Sequence, residues 1–257
     1  MRNSLACRSL VAALLAFPAL ASGAWRSEGP FVATVSDVAV DPSRPDTIYA
    51  ATASGGVWRS EDGGATWTLP GDEMVSRNVR WIEVDRSDPA TLWAGVEATG
   101  KPSFWRSTDR GATWDVVRVD PRSNAVGQRI AFASTRPKVI FVPSTNLHYR
   151  SVDGGKTWTR FRVPGQDAYA FAVDPSDANV VWAGGRGSEH HLSRSVDGGK
   201  TWRPFGEGLP ENSVKALCVA PTTPPTLYAV VGFGALFRSA AAGAAWGGLA
   251  TGRGGPA

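Results

Sequence analysis

Residues able to do chemistry are few in this chain, and they are scattered. Arg80, Arg129 and Lys215 stand just before or at the start of short apolar segments, and Tyr169 holds a comparable place. Cations gathered at the ends of such segments would form a positive mouth for a polar or anionic ligand. Glu83 occupies a position where the matching segments carry Ala39, Ala131, Ala172 and Cys218, so a carboxylate replaces a small residue there and can pair with Arg80 or Arg129. The plainer alternative is solvated loop charge and a structural ion pair. Glycoside cleavage needs two carboxylates flanking the scissile bond. Glu83 with Glu97 or Asp167 supplies such a pair, but no spacing selects it, and no catalytic residue is assigned. Glu189-His190-His191 and His148 are the metal candidates. Neighbouring residues of an extended chain point to opposite sides, and no third ligand at a fixed offset completes a site, so neither metal nor cofactor is expected. Gly184-Gly185-Arg186-Gly187 is not followed by a helix, which argues against a phosphate cradle.

The elements that must carry these residues are announced by an eight-residue phrase, Ser-x-Asp-x-Gly-x-Thr-Trp. It is written in full as Ser60, Asp62, Gly64, Thr66, Trp67; as Ser107, Asp109, Gly111, Thr113, Trp114; as Ser151, Asp153, Gly155, Thr157, Trp158; and as Ser195, Asp197, Gly199, Thr201, Trp202. A fifth copy, Ser239 to Trp246, keeps Ser, Gly and Trp but has Ala241 and Ala245 for Asp and Thr. The opening serines are 47, 44, 44 and 44 residues apart, the period of a four-stranded propeller blade. In each phrase the carboxylate can accept turn N–H groups, glycine supplies positive φ, and Trp returns to the apolar layer. The phrase is therefore read as structural.

The rest of the period repeats as well. A first strand (Val38-Ala39-Val40, Phe171-Ala172-Val173) is often followed by Asp-Pro, a second carries Ile48-Tyr49-Ala50 or Val181-Trp182-Ala183, and a third runs into the phrase, whose Trp opens the fourth. The pattern predicts an all-β fold, a β-propeller of four-stranded blades over 25–246, five-bladed, or alternatively a truncated or open six- or seven-bladed propeller. Trp25 to Phe31 reads as an orphan fourth strand able to complete the last blade and close the ring. Residues 247–257, rich in Gly and Ala, are expected to be a flexible tail. Most of the eleven Trp and four Tyr fall at repeated offsets and are assigned to the core.

These phrases resemble the BNR, or Asp-box, repeat superfamily, which includes sialidases, xyloglucan-cleaving glycosidases, the sortilin ectodomain and the photosystem II stability and assembly factor. The resemblance covers about Trp25 to Trp246 and implies a propeller with its boxes on the rim, away from the ligand site. It would place a ligand on the opposite loop face, at Arg80, Glu83, Arg129, Tyr169 and Lys215. The sialidase pattern implies an Arg-Ile-Pro motif before the first box, which is missing here, and a nucleophilic Tyr, for which Tyr169 alone lies outside the core offsets. The xyloglucan-cleaving pattern implies two propellers, and this length suits one. The assembly factor implies an arginine-rich patch, with which Arg77, Arg80 and Arg129 are compatible. The expectation is a non-catalytic binding or scaffolding module for a protein, peptide or glycan, with a BNR-type glycoside hydrolase as the alternative.

Residues 1–24 read as a secretory signal: Arg2 and Arg8, an apolar stretch Leu10 to Leu20, and small residues up to Ala24. The stretch is too short for a membrane span, and a secreted or periplasmic, monomeric protein is expected. Arg2 and Arg8 account for two of the four net positive charges, and no basic stripe suggests a nucleic-acid partner. With Cys7 removed, Cys218 would be a solitary buried thiol.

Overall fold

The structure, a computed structural model, describes residues 34–74, 77–97, 103–119, 129–133, 139–144, 147–187 and 190–249. It is an all-β propeller fold of five antiparallel sheets, each formed by consecutive strands. The chain divides into two compact units. The first holds β1 (Thr34–Val40), β2 (Ile48–Ala53) and β3 (Gly56–Ser60), then β4 (Asn78–Val84), β5 (Leu92–Glu97), β6 (Ser103–Ser107) and β7 (Asp115–Val117). The second holds three sheets: β8 (Ala131–Phe132), β9 (Ile140–Val142), β10 (His148–Ser151) and β11 (Thr159–Phe161); β12 (Gln166–Val173), β13 (Val181–Gly187), β14 (Leu192–Ser195) and β15 (Arg203–Phe205); and β16 (Val214–Ala220), β17 (Thr226–Val231), β18 (Ala235–Ser239) and β19 (Gly247–Gly248). In the first sheet the fourth strand shrinks to one bridge, Arg59 to Thr68.

Each second strand is central in its sheet and therefore covered on both faces, which is why its residues are small or aromatic. Tyr49, Trp93, Phe141 and Trp182 are all buried, as the repeat offsets predict. Within each unit the first strands of successive sheets are neighbours, β1 beside β4, and β12 beside both β8 and β16. In the first unit this seam is polar as well as apolar. Ser36 Oγ donates to the carbonyls of Ala51 and Val79, and Asp37 Oδ2 accepts the Ile82 N–H at 3.0 Å.

The four full phrases form one hydrogen-bonded hairpin repeated almost atom for atom. The Ser Oγ donates to the Asp carboxylate at 2.7 to 2.8 Å and accepts the glycine N–H at 2.8 Å. The Thr N–H donates to the same carboxylate at 2.9 Å in every copy. The first left-handed residue of the hairpin ties back to the turn between the first two strands of its own sheet: Gly63 to the Asp46 carbonyl, Arg110 to Ala90, Gly198 to Asn179 and Ala242 to Pro225. Its φ is +60° at Arg110 and +52° at Ala242, a conformation that favours glycine. The fifth copy keeps what Ser and Trp alone can make. Gly243 N–H donates to Ser239 Oγ at 2.9 Å, and Trp246 Nε1 donates to the Gly243 carbonyl at 2.9 Å. Restoring the missing pair with Ala241→Asp and Ala245→Thr is expected to raise the melting temperature by about 2–4 °C, the shift per kcal/mol for a domain of this size. Differential scanning calorimetry checks it.

Hydrogen bonding sets the acid sensitivity of these hairpins. The Thr66 hydroxyl, then the Thr66 N–H and Ser60, hold Asp62 down at about 2 against an ordinary 3.8. Asp153 and Asp197 are lowered in the same way, chiefly by the hydroxyls of Thr157 and Thr201. A carboxylate depressed in the folded state contributes stability that is complete above its unfolded value and is lost as pH falls through the folded one. The melting temperature is therefore expected to fall between about pH 4 and pH 2. The triple variant Asp62→Asn, Asp153→Asn, Asp197→Asn should be less stable at pH 7 and flatter over that window.

A second repeated carboxylate follows the first strand, before Pro at Asp41 and Asp174 and before Arg86 at Asp85. Asp41, Asp85 and Asp174 are buried where the first strand turns into the second, each accepting from the backbone N–H and hydroxyl of the serine two residues on, Ser43, Ser87 or Ser176. The third-strand Arg59 links neighbouring sheets, its Nη1 donating to the Arg110 carbonyl of the next hairpin at 3.1 Å.

Three expectations about the ends of the chain need correction or lie outside view. The outer edge of the last sheet is filled by its own repeat, Gly247–Gly248, and Leu249 N–H donates to the Leu236 carbonyl. The segment after Trp246 thus starts as strand because a sheet edge is open to it. Cys218 is only partly buried, not a core residue. The signal segment, Cys7, the orphan strand over 25–31 and residues 250–257 lie outside the described residues.

Candidate functional site

In every sheet whose first strand is fully described, that strand slips register by one residue at the same place. The pairing jumps from Val35 to Asp37, Val79 to Trp81, Ala168 to Ala170 and Val214 to Ala216. Ser36, Arg80, Tyr169 and Lys215 are the residues left over. A bulged residue has no partner opposite it, so its side chain is re-aimed away from the ladder. Each sits five residues before the turn residue Asp41, Asp85, Asp174 or Ala220, at the end of the sheet opposite the phrase hairpins. Three of the five sequence-predicted site residues therefore share one structural station. Arg129 does not: it stands one residue further on, matching Asp37 and Trp81, and the third repeat's counterpart of the bulge, Gln128, lies outside the described residues.

Arg80 is partnered by Glu97 at 3.0 Å, and Glu97 also accepts from the Asn78 amide at 3.1 Å. Asn78 lies opposite Glu97 in the β4–β5 register, which brings the end of β5 to the bulge. Both side chains are about half exposed, so the pair contributes less than about 1 kcal/mol. Glu83, on the same strand, is half-buried. Arg77 is anchored too, its guanidinium 5.2 Å from the Trp105 ring centroid and its Nε donating to the Glu73 carbonyl.

His148 and His191 serve structure. His148 is buried between Phe161 and Phe171, with ring centroids 5.5 and 5.2 Å away, and burial pushes its pKa down to about 4. The His191 carbonyl accepts the Gly185 N–H and the Gln166 amide. Among the described residues no three His, Cys, Asp or Glu side chains gather where a metal could be held.

Two grooves open on this loop face in the second unit. One, of about 600 Å³, is lined by Arg162, Gln166, Asp167, Tyr169 and Arg186. The other, of about 480 Å³, is lined by Pro210, Asn212, Val231, Phe233 and Phe237. Tyr169 is thus the one predicted residue that enters a groove wall. Lys215 stands beside the other, its Nζ 5.8 Å from the Phe233 ring centroid. Sequence reasoning missed Arg162, Arg186 and Phe233, because residues of loops and strand ends follow no repeat. The available signal was Phe233 itself, an aromatic off the core offsets between two glycines.

These strands, hairpins and bulges define a β-propeller of four-stranded repeats, and the comparisons with known proteins agree. The family model of sortilin, neurotensin receptor 3 (Sortilin-Vps10), matches residues 102–216. A GH74 enzyme of Niastella koreensis superposes with a TM-score of 0.64 at 21% identity, covering 81% of this chain and 37% of that one. The GH74 xyloglucanase of Xanthomonas campestris gives 0.62 at 19%, covering 79% and 36%. YCF48 bound to D1 peptide gives 0.58 at 20%, covering 90% and 71%. The chain thus spans little more than a third of the two GH74 structures. Among curated proteins none matches.

Proposed function

We propose that this chain is an exported binding or scaffolding module, non-catalytic, that takes a protein, peptide or glycan on the loop face opposite the phrase hairpins. The observation that carries this reading is the recurrent bulge. It holds Ser36, Arg80, Tyr169 and Lys215 at one end of their sheets, free of ladder duty, and both grooves of the second unit open at that end. The phrase carboxylates are engaged by their own turns, each accepting from the Ser and Thr of its hairpin. The similarity in fold to YCF48 bound to D1 peptide supports the peptide reading.

The test sets the secreted protein against panels of displayed peptides and immobilised glycans, with sialoside and xyloglucan hydrolysis followed in parallel. Binding should weaken in the variants Arg80→Ala with Arg129→Ala and Tyr169→Ala with Lys215→Glu, and survive Lys156→Glu with Lys200→Glu on the hairpin side. Hydrolysis abolished by Glu83→Gln would replace this reading with the glycoside hydrolase one. Export predicts a mature N-terminus at Trp25, read by N-terminal sequencing.

A further inference from the structure

The two grooves occupy the same station in neighbouring sheets and differ in chemistry. Both lie where the turn after a fourth strand meets the hairpin between the second and third strands. The first is polar. Arg162 and Arg186 are exposed in its wall, and neither forms an ion pair among the described residues. Asp167 lies opposite Arg186 in register without closing to ion-pair distance, so two cations face one anion and the groove keeps positive charge. The second groove is apolar, with Val231 and Phe237 in its wall and Phe233 fully exposed at the tip of the β17–β18 hairpin. A phenylalanine held wholly in water on a short, glycine-flanked turn gains nothing for folding, and exposed apolar surface beside a groove marks a place where something packs. Lys215 carries the positive field from the strand to this ring.

We infer that the two grooves form one bipartite seat for an extended peptide in which an acidic side chain and an apolar side chain stand about three residues apart; this rests on the binding reading above. The spacing follows from geometry. The grooves belong to adjacent sheets whose first strands, β12 and β16, are neighbours, and stacked sheets pack roughly 10 Å apart, a gap spanned by about three residues of extended chain at about 3.3 Å each. Guanidinium groups match a carboxylate with paired N–H donors, which is the task available to Arg162 and Arg186. The apolar side chain packs on Phe233, with Phe237 and Val231 behind it. Charge decides against the other peptides: a basic one meets Arg162, Arg186 and Lys215, and a purely polar acidic one leaves Phe233 uncovered.

A display library of random octapeptides is selected on the immobilised full chain, and enriched peptides are measured by fluorescence anisotropy. The expected outcome is enrichment of Asp or Glu about three positions from Leu, Ile, Phe or Trp. Arg162→Glu with Arg186→Glu, and Phe233→Ser separately, should each weaken binding by about tenfold or more, while Phe233→Leu retains most of it. All these side chains are exposed, and an unchanged melting temperature confirms that the fold survives. The charge-reversed variant should gain affinity for the same peptide with Lys in place of its acid, which a merely structural role cannot produce. Enrichment of basic peptides, or of none, overturns the inference. Loss of binding confined to the Arg80 and Arg129 variants overturns it while leaving the loop-face reading intact, whereas peptide binding untouched by every loop-face variant overturns both.

Discussion

Trp182→Ala is expected to lower the unfolding free energy by about 3–5 kcal/mol, the range for emptying a buried large aromatic site. At about 2–4 °C per kcal/mol for a chain of this size, the melting temperature should fall by roughly 6–20 °C. Trp182 has no exposed surface and lies in the seam between the last two sheets, packed with Leu192, Val219, Leu227 and Trp246, and with the Arg194 guanidinium 5.6 Å from its ring. The site cannot collapse easily, because its walls belong to two sheets whose ladders fix them. Trp182→Phe provides the discriminating control. The indole N–H is buried without a hydrogen-bond partner, so its removal also relieves an unsatisfied donor. Calorimetry should therefore show Phe losing less than half of what Ala loses. Equal losses would mean that shape at this seam outweighs the orphaned N–H.

The second large effect is expected at Gly185. It pairs with Ala168 directly beside the Tyr169 bulge, and a Cβ there would stand 1.9 Å from the Asp167 carbonyl oxygen and 2.6 Å from the Ala168 Cα. Both are backbone atoms and cannot swing aside. Gly185→Ala must push β12 off β13, at a cost of about 3 kcal/mol, the upper end for overpacking. Gly184→Ala meets Val214 and Leu217 side-chain atoms instead, which can rotate, and is expected to cost less. Hydrogen exchange read over residues 166–170 should accelerate in the Gly185 variant and hardly change in the Gly184 one. Because Gln166, Asp167 and Tyr169 line the polar groove, Gly185→Ala should also abolish whatever binds there. Retained binding with loosened pairing would separate that groove from recognition.

Period, strand placement and the aromatic core were legible in the sequence because each repeat must solve the same packing problem, and Tyr49, Trp93, Phe141 and Trp182 answer it in the same place. The hairpin chemistry was legible for a similar reason: Ser, Asp, Gly and Thr each have one role in it. The bulge was not. It depends on register between two strands, and the residues that fill it, Ser36, Arg80, Tyr169 and Lys215, share no chemistry by which a pattern could be noticed. Counting back five residues from the turn position, Asp41, Asp85, Ala133, Asp174 or Ala220, would have found them and would have separated Arg129 from the set. Glu83 was expected to pair with Arg80 or Arg129, and at Arg80 the structure differs. Glu97 holds it instead, because the β4–β5 pairing carries the end of β5 to the slip.

A position with no ladder partner and no place in the core is a position that selection can rewrite at little cost to stability. Ser36 is tied into its seam, but the other three slips amount to an interchangeable set of fittings on a standard frame, each altered by one codon. Randomising 80, 169 and 215 together should yield a collection in which nearly every member folds and specificity varies from one to the next, a property to be expected of a scaffold that diversifies by side chain and not by loop length.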